Sequence, residues 1–310
     1  MTGPKTVTTD LYPAPGVHGG DADAVAAYLG IDPAEVLDLS ASLNPEAPDV
    51  AGVVARSLDR LGRYPDVTCA TSALAESIGV DPQSLVVTNG GAEAIALVAQ
   101  LHPTGWVEAP EFALYARHLR ELDPKAPRWR SNPSNPLGQF AGPDEKAGVW
   151  DEAFWALAAG TWTRGDARSW RIGSLTKLWA CPGLRAGYAI APDPASAEAM
   201  REIQPRWAVS GLAIAVIELL LPVTDLPSWQ RSIAKRRAEL ADQLRERGLV
   251  VSETDACWVL VERPDLRSLL IPTGVLVRDC TSFGLNSTTR IAVPDDQGLE
   301  RLLNALDRVL

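Results

Sequence analysis

Ser174-Leu175-Thr176-Lys177, followed by Pro182-Gly183-Leu184-Arg185 and then Gly187-Tyr188, brings a hydroxyl, an amine and a guanidinium into one short segment. The lysine falls three residues after the serine and eight before the arginine, directly behind a predicted strand. A lysine whose surroundings lower its pKa can form a Schiff base with an aldehyde cofactor, while a hydroxyl and a guanidinium hold that cofactor's phosphate. For Lys177 or Arg185 alone, a surface position in a basic loop is the plainer reading. Upstream, Leu85-Val86-Val87-Thr88, Asn89-Gly90-Gly91 and an apolar run from Ala92 to about Leu101 read as strand, glycine turn and helix N-terminus, an arrangement that suits a phosphate.

The elements that must position these groups follow from punctuation and periodicity. Strands are expected at Glu35 to Ser40, Leu85 to Thr88, Trp106 to Glu108, Arg171 to Gly173 and Ala186 to Ala191. Later strands fall at Trp258 to Glu262, Val275 to Arg278 and Thr289 to Val293. Helices are expected at Asp21 to Leu29, Val50 to Leu61, Ala70 to Gly79, Ala92 to Leu101, Ala208 to Leu221, Pro227 to Gly248 and Asp296 to Leu310, with a further one through Tyr115 and His118. Leu122 to Gly148, rich in Pro, Gly, Asn and charge, offers no run long enough for a strand or helix. The order predicts an α/β domain and a smaller α+β domain.

Composition narrows the function. The 310 residues are 46% hydrophobic and 22% charged, the make-up of a globular chain with a sizeable core. A formal charge of −10 leaves no basic footprint for nucleic acid or an anionic membrane, so a small anionic substrate needs locally placed arginines or backbone N–H groups. Cys69, Cys181, Cys257 and Cys280 lack metal or C-x-x-C spacing and read as buried reduced thiols, with no metal site expected. The start lacks the basic and apolar regions of a secretory signal, and Ala208 to Val223, interrupted by Glu218 and Pro222, reads as a buried helix. A cytoplasmic location is the expectation.

S-L-T-K-x₄-P-G-L-R-x-G-Y resembles the cofactor-lysine segment of fold-type I pyridoxal-phosphate enzymes, the aminotransferase class I/II group. The resemblance implies a three-layer large domain with a smaller α+β C-terminal domain, and Lys177 as the Schiff-base lysine with Ser174 and Arg185 on the cofactor phosphate. Asp151-Glu152-Ala153-Phe154 looks like the group's D-E-A-(Y/F) segment, which implies Asp151 on the pyridine nitrogen; a carboxylate there keeps the ring an electron acceptor. Phe154 in place of tyrosine removes one hydrogen bond to the cofactor hydroxyl. Asn132-Pro133-Ser134-Asn135-Pro136-Leu137-Gly138 is similar to N-P-x-N-P-T-G and implies Asn135 on the ring oxygen. Gly90-Gly91-Ala92-Glu93 matches the phosphate cup, with the N–H groups of Gly91, Ala92 and Glu93 facing the phosphate. Phe112 takes the place of the aromatic stacked on the ring, and Tyr64, in Arg63-Tyr64-Pro65-Asp66, that of a residue reaching the phosphate of a neighbouring subunit, which implies a homodimer. Arg290 resembles the arginine that grips the substrate α-carboxylate and thereby fixes which Cα bond stands perpendicular to the ring.

Within the group, His18-Gly19-Gly20, the segment from Leu37 to Pro45 and the segment from Val277 to Gly284 look like threonine-phosphate decarboxylases of cobalamin synthesis. Histidinol-phosphate aminotransferases usually carry N-E-N-P where this chain has Ser42-Leu43-Asn44-Pro45. The resemblance implies L-threonine O-3-phosphate as substrate, aminopropanol phosphate as product, and His18, Ser40 and Arg278 on the substrate phosphate. Transamination of the histidinol-phosphate type is the alternative activity, and a non-catalytic or regulatory relative the second. The expected large domain is 46–207 and the small domain 1–45 plus 208–310. Only 20 residues separate Tyr115 from Asn135 and 16 separate Asn135 from Asp151, where relatives have room for extra strands and a helix. A shortened sheet is therefore expected, with loss of the burial that holds Asn135 and Asp151.

Overall fold

The structure, a computed structural model, describes Pro13 and residues 19–310. Its first sheet has five strands in the order Leu85–Thr88, Gly187–Ile190, Trp170–Gly173, Val149–Asp151 and Trp129–Ser131. The first two pairings are antiparallel and the last two parallel. The strands read as apolar runs because the sheet is covered on both faces. Leu85, Val87, Tyr188 and Ile190 pack toward Thr68–Ile78 and Gly211–Leu220, whereas the intervening Val86 and Ala189 pack with Ile95 and Val98 of Gly90–Leu101 and Met200 of Pro194–Ile203. This two-residue alternation, sandwiched between helices, makes three layers.

The second sheet runs Leu37–Leu39, Val275–Asp279, Thr289–Ala292, Trp258–Val261, Val251–Ser252, with only the first pair parallel. Asp296–Val309 covers it with Leu302, Ala305 and Leu306. The 21-residue helix Leu226–Glu246, about 30 Å long at 1.5 Å per residue, joins the two cores: Leu226 and Ile233 lie in the first, Leu240 and Leu244 in the second. Gly211–Leu220, within the expected small domain, buries Ala213, Ile214, Val216 and Ile217 in the first core. No single helix among the described residues is long and apolar enough to cross a membrane.

Local departures from expectation have local causes. The helix expected from Val50 to Leu61 divides into Val50–Ala55 and a 3-10 turn, Leu58–Gly62. Cys69 is exposed near the start of Thr68–Ile78, while Cys181, Cys257 and Cys280 are buried. In the segment without a readable element, Trp129–Ser131 forms a strand three residues long, too short to show periodicity, parallel to Val149–Asp151. A two-residue parallel pair, Thr104–Gly105 with Glu121–Leu122, meets it through a single bridge from Trp106 to Arg128. These strands are short, yet the expected loss of burial does not occur: Asn135 and Asp151 are both buried. Polar clamps replace missing sheet. Arg164 donates to the carbonyls of Gly142, Pro143 and Glu145 and lies over the Trp150 ring, and Arg128 pairs with Glu108 and Glu145 while covering Trp106.

Candidate active site

Lys177 lies in the single helical turn Leu175–Leu178 that follows the strand Trp170–Gly173. Thr176 fixes that turn to the returning strand: its hydroxyl donates to Ala186 O at 3.1 Å and accepts the Ala186 N–H at 3.2 Å. From the N-terminal side, Asn44 donates its backbone N–H to Lys177 O and its side-chain amide to Leu178 O. The Lys177 side chain enters a cavity of about 340 Å³. Burial of the amine, helped by the positive charges of Arg290 and Arg185, lowers its pKa to about 8. No carboxylate among the described residues forms a salt bridge with it, and Nζ stands 5.9 Å from the Phe154 ring centroid.

Asp151 ends the neighbouring strand and also lines the cavity. Burial pushes its carboxyl up, opposed by the Tyr115 hydroxyl, which donates to Oδ2 at 2.8 Å, by the Ala153 N–H on Oδ1 at 3.0 Å, and by the charge of Lys177. Tyr115 is a fully buried partner that sequence spacing did not indicate, because it belongs to a different element, Ala113–His118. Phe112, just before that helix, lines the cavity edge-on to Tyr115, with ring centroids 5.8 Å apart. Phe154 packs edge-on against Trp258.

At one end of the cavity Gly91 and Ala92 begin the helix Gly90–Leu101, facing Ser174 and Arg185. The chains approach too closely here for any side chain: a Cβ on Gly187 would lie 2.6 Å from the Gly90 carbonyl carbon, and Gly90 itself has φ +77°. The helix N-terminus, a hydroxyl and a guanidinium make an anion site. The Glu93 side chain does not join it; the carboxylate accepts the Asn89 N–H at 2.7 Å and Gln204 Nε2 at 3.0 Å.

At the other end stand Asn135 and Arg290. Asn135 is held by its backbone N–H on Ser131 Oγ at 2.8 Å, and its Oδ1 accepts from Arg290 Nη1 at 2.7 Å. Arg290 Nη2 donates to Ser40 O, its guanidinium lies 5.0 Å from the Trp258 ring centroid, and its buried Nε has no partner among the described residues. Desolvation brings its pKa down to about 10. In the antiparallel register Arg290 is directly opposite Arg278, so two buried arginines share one face of the sheet.

The remaining sequence candidates lie apart from the cavity lining. Arg278 donates to Ser282 Oγ at 2.8 Å and covers Phe283. Ser40 lies beside it, but its hydroxyl meets Asp38 Oδ1 at 2.6 Å; a carboxylate only accepts, so Ser40's single proton is already committed. Tyr64 is 77% exposed, stacked on Trp207 with centroids 4.5 Å apart, and does not line the cavity of its own chain. His18 lies outside the described residues.

Comparison with known proteins agrees with this geometry. The family model described as aminotransferase class I and II matches residues 129–306. Threonine-phosphate decarboxylase from Salmonella typhimurium is 29% identical over 350 aligned positions, covering 94% of this chain and 96% of that protein. Several dozen of those positions have no counterpart in a 310-residue chain. Histidinol-phosphate aminotransferase from Halobacterium salinarum is 27% identical, with 94% and 95% covered. In structure, histidinol-phosphate aminotransferase from Sinorhizobium meliloti in complex with pyridoxal-5'-phosphate superposes with a TM-score of 0.80 at 18% identity, covering 98% of this chain and 97% of that one. With a match over more than half its length, on the sheet and lysine turn that form the cavity, the chain belongs to the aminotransferase class I and II family.

Proposed function

We propose that the chain binds pyridoxal 5'-phosphate through Lys177 and decarboxylates L-threonine O-3-phosphate to aminopropanol phosphate. The observation that carries the substrate class is the Arg278–Arg290 pair. Like charges opposite each other on a sheet repel; Asp21 and Asp279 near Arg278 and Asp38 near Arg290 offset part of that, and two arginines on one face suit a ligand with two anionic groups. A phosphorylated amino acid has a carboxylate for Arg290 and a phosphate for Arg278. The relatives at 29% identity named as threonine-phosphate decarboxylases favour that amino acid. Transamination of a phosphorylated substrate is the second reading, favoured by relatives at 27% named as histidinol-phosphate aminotransferases.

The donor set fits the cofactor: a buried amine with no carboxylate salt bridge among the described residues, a buried carboxylate at a strand end, and helix N–H groups with Ser174 and Arg185 for a phosphate. Bound there, pyridoxal phosphate supplies an aldehyde and a ring that takes up the electron pair left at Cα. With its pKa near 8, Lys177 is neutral in appreciable fraction at neutral pH, so the amine can attack a carbonyl and later carry a proton to the substrate carbon. Asp151, oriented by the Tyr115 hydroxyl, would hold the pyridine nitrogen and keep a proton on it. Asn135, with Oδ1 occupied by Arg290, keeps its amide N–H groups for the ring oxygen. Arg290 would orient the carboxylate, Phe112 would face the ring, and Arg278 with His18 would hold the substrate phosphate; Ser40 would join them as a donor only by releasing Asp38.

The same reading makes the protein a cytoplasmic homodimer, with the exposed Tyr64 reaching the cofactor phosphate of a second copy. Loss of the visible absorbance band of the lysine-bound cofactor in Lys177→Ala tests the cofactor assignment, and product analysis with threonine phosphate tests the reaction.

A further inference from the structure

Glu111 has no part in the reaction as proposed, yet its carboxylate is turned inward and spent almost wholly on one residue. Oε1 accepts the Ser131 N–H at 2.9 Å and Oε2 accepts the Ser131 hydroxyl at 2.6 Å, with the Phe112 N–H also on Oε2 at 3.1 Å. With Glu111 ionised, the Ser131 hydroxyl donates to it and turns a lone pair toward its other neighbour, the Asn135 N–H at 2.8 Å. Asn135 Oδ1 in turn accepts from Arg290 at 2.7 Å. One chain of hydrogen bonds thus runs Glu111, Ser131, Asn135, Arg290, from the first sheet to the second. Burial and the nearby charge of Asp151 work against a carboxylate here and push Glu111 up to about 7, opposed by its three hydrogen bonds.

We propose that Glu111 is a positioning residue for substrate recognition: through Ser131 and Asn135 it sets where the Arg290 guanidinium stands. This rests on the reading of Arg290 as the grip on the substrate carboxylate. A strained or displaced guanidinium loses one arm of a bidentate pair, so the effect falls on substrate binding more than on the bond-breaking step.

The test uses Glu111→Ala, Glu111→Gln and Ser131→Ala in the full chain, each examined by crystallography without substrate and by kinetics with threonine phosphate after cofactor loading. In Glu111→Ala the Asn135–Arg290 contact is expected to open beyond 3.5 Å, with KM raised about tenfold, kcat changed less than about threefold, and the visible cofactor band intact. Glu111→Gln still accepts the Ser131 N–H and is expected to recover most of the KM, whereas Ser131→Ala, broken one link further on, is expected to repeat the alanine result. An Asn135–Arg290 contact unchanged in Glu111→Ala overturns the proposal, as does a fall in kcat equal to the rise in KM, or a glutamine variant no better than alanine. If the wild-type protein does not act on threonine phosphate, the reaction assigned above fails, and the crystallographic comparison still decides the role of Glu111.

Discussion

Arg290 on the strand Thr289–Ala292 donates Nη1 to Asn135 Oδ1 at 2.7 Å, a bond that ties the second sheet to the loop leaving the first. The pair fixes the guanidinium and, by occupying the amide oxygen, decides which end of Asn135 is left for the cavity. Arg290→Lys keeps a charge but loses the fork that reaches Asn135, Ser40 O and a substrate carboxylate together. It is expected to raise KM by at least roughly 30-fold, measured at saturating cofactor, because a buried charged contact is worth about 2–5 kcal/mol.

The Lys177 amine titrates lower in the folded chain, near 8, than in the unfolded one, where an ordinary lysine titrates near 10.5. Between these values the unfolded state binds more protons, so stability rises with pH across that interval; below about 8 the penalty is present in full. In cofactor-free protein Lys177→Met is therefore expected to be more stable at pH 7 by about 2 kcal/mol, allowing for water in the cavity, and the gap should close as pH climbs from 8 to 10.5. Denaturant midpoints across that range check this; a gap that does not change with pH would show that the amine is not desolvated.

Tyr115→Phe deletes one hydroxyl and leaves the buried Asp151 short of its side-chain donor. A hydrogen bond to a charged group contributes about 1.5–3 kcal/mol, and a loss of this size is expected in urea unfolding at pH 7. The same change should raise the Asp151 pKa further and move the acid limb of the rate profile to higher pH, since the Tyr115 bond now opposes the effect of burial. An unchanged limb would separate Asp151 from the reaction.

Arg278→Gln removes one of two like charges facing each other in register while keeping an amide that can reach Ser282. With the cofactor bound, so that its own phosphate fills the Ser174–Arg185 end, the variant is expected to lose most of the stabilisation that millimolar phosphate gives the wild type. Thermal unfolding with and without phosphate reads this loss. Equal stabilisation of the two proteins would remove Arg278 from the anion site.

The lysine segment was legible in the sequence because its chemistry is local: Ser174 opens the turn that carries Lys177, and Arg185 lies in the loop just before the returning strand Gly187–Ile190. Most long helices and the second-sheet strands other than Val251–Ser252 were legible within a few residues, being long or strongly apolar; Pro194–Ile203 was not. Tyr115 on Asp151 and Glu111 on Ser131 were not, since each joins residues 20 or more apart through a fold that spacing alone does not encode. Trp129–Ser131 escaped because a three-residue strand carries no period, and its order comes from Arg128 and Arg164 clamping charge-rich loops that composition presents as unstructured. The bond from the Ser40 hydroxyl to Asp38, two residues before it, was not legible because nothing in the motif specifies where that proton goes.

The most direct measurement is the fate of the carboxylate in carboxyl-labelled L-threonine O-3-phosphate incubated with the cofactor-loaded protein. Release of labelled carbon dioxide in step with aminopropanol phosphate, abolished in Lys177→Ala, is the predicted result. Label retained in a keto acid formed with an acceptor, or label unreacted while the visible cofactor band is present, would contradict it.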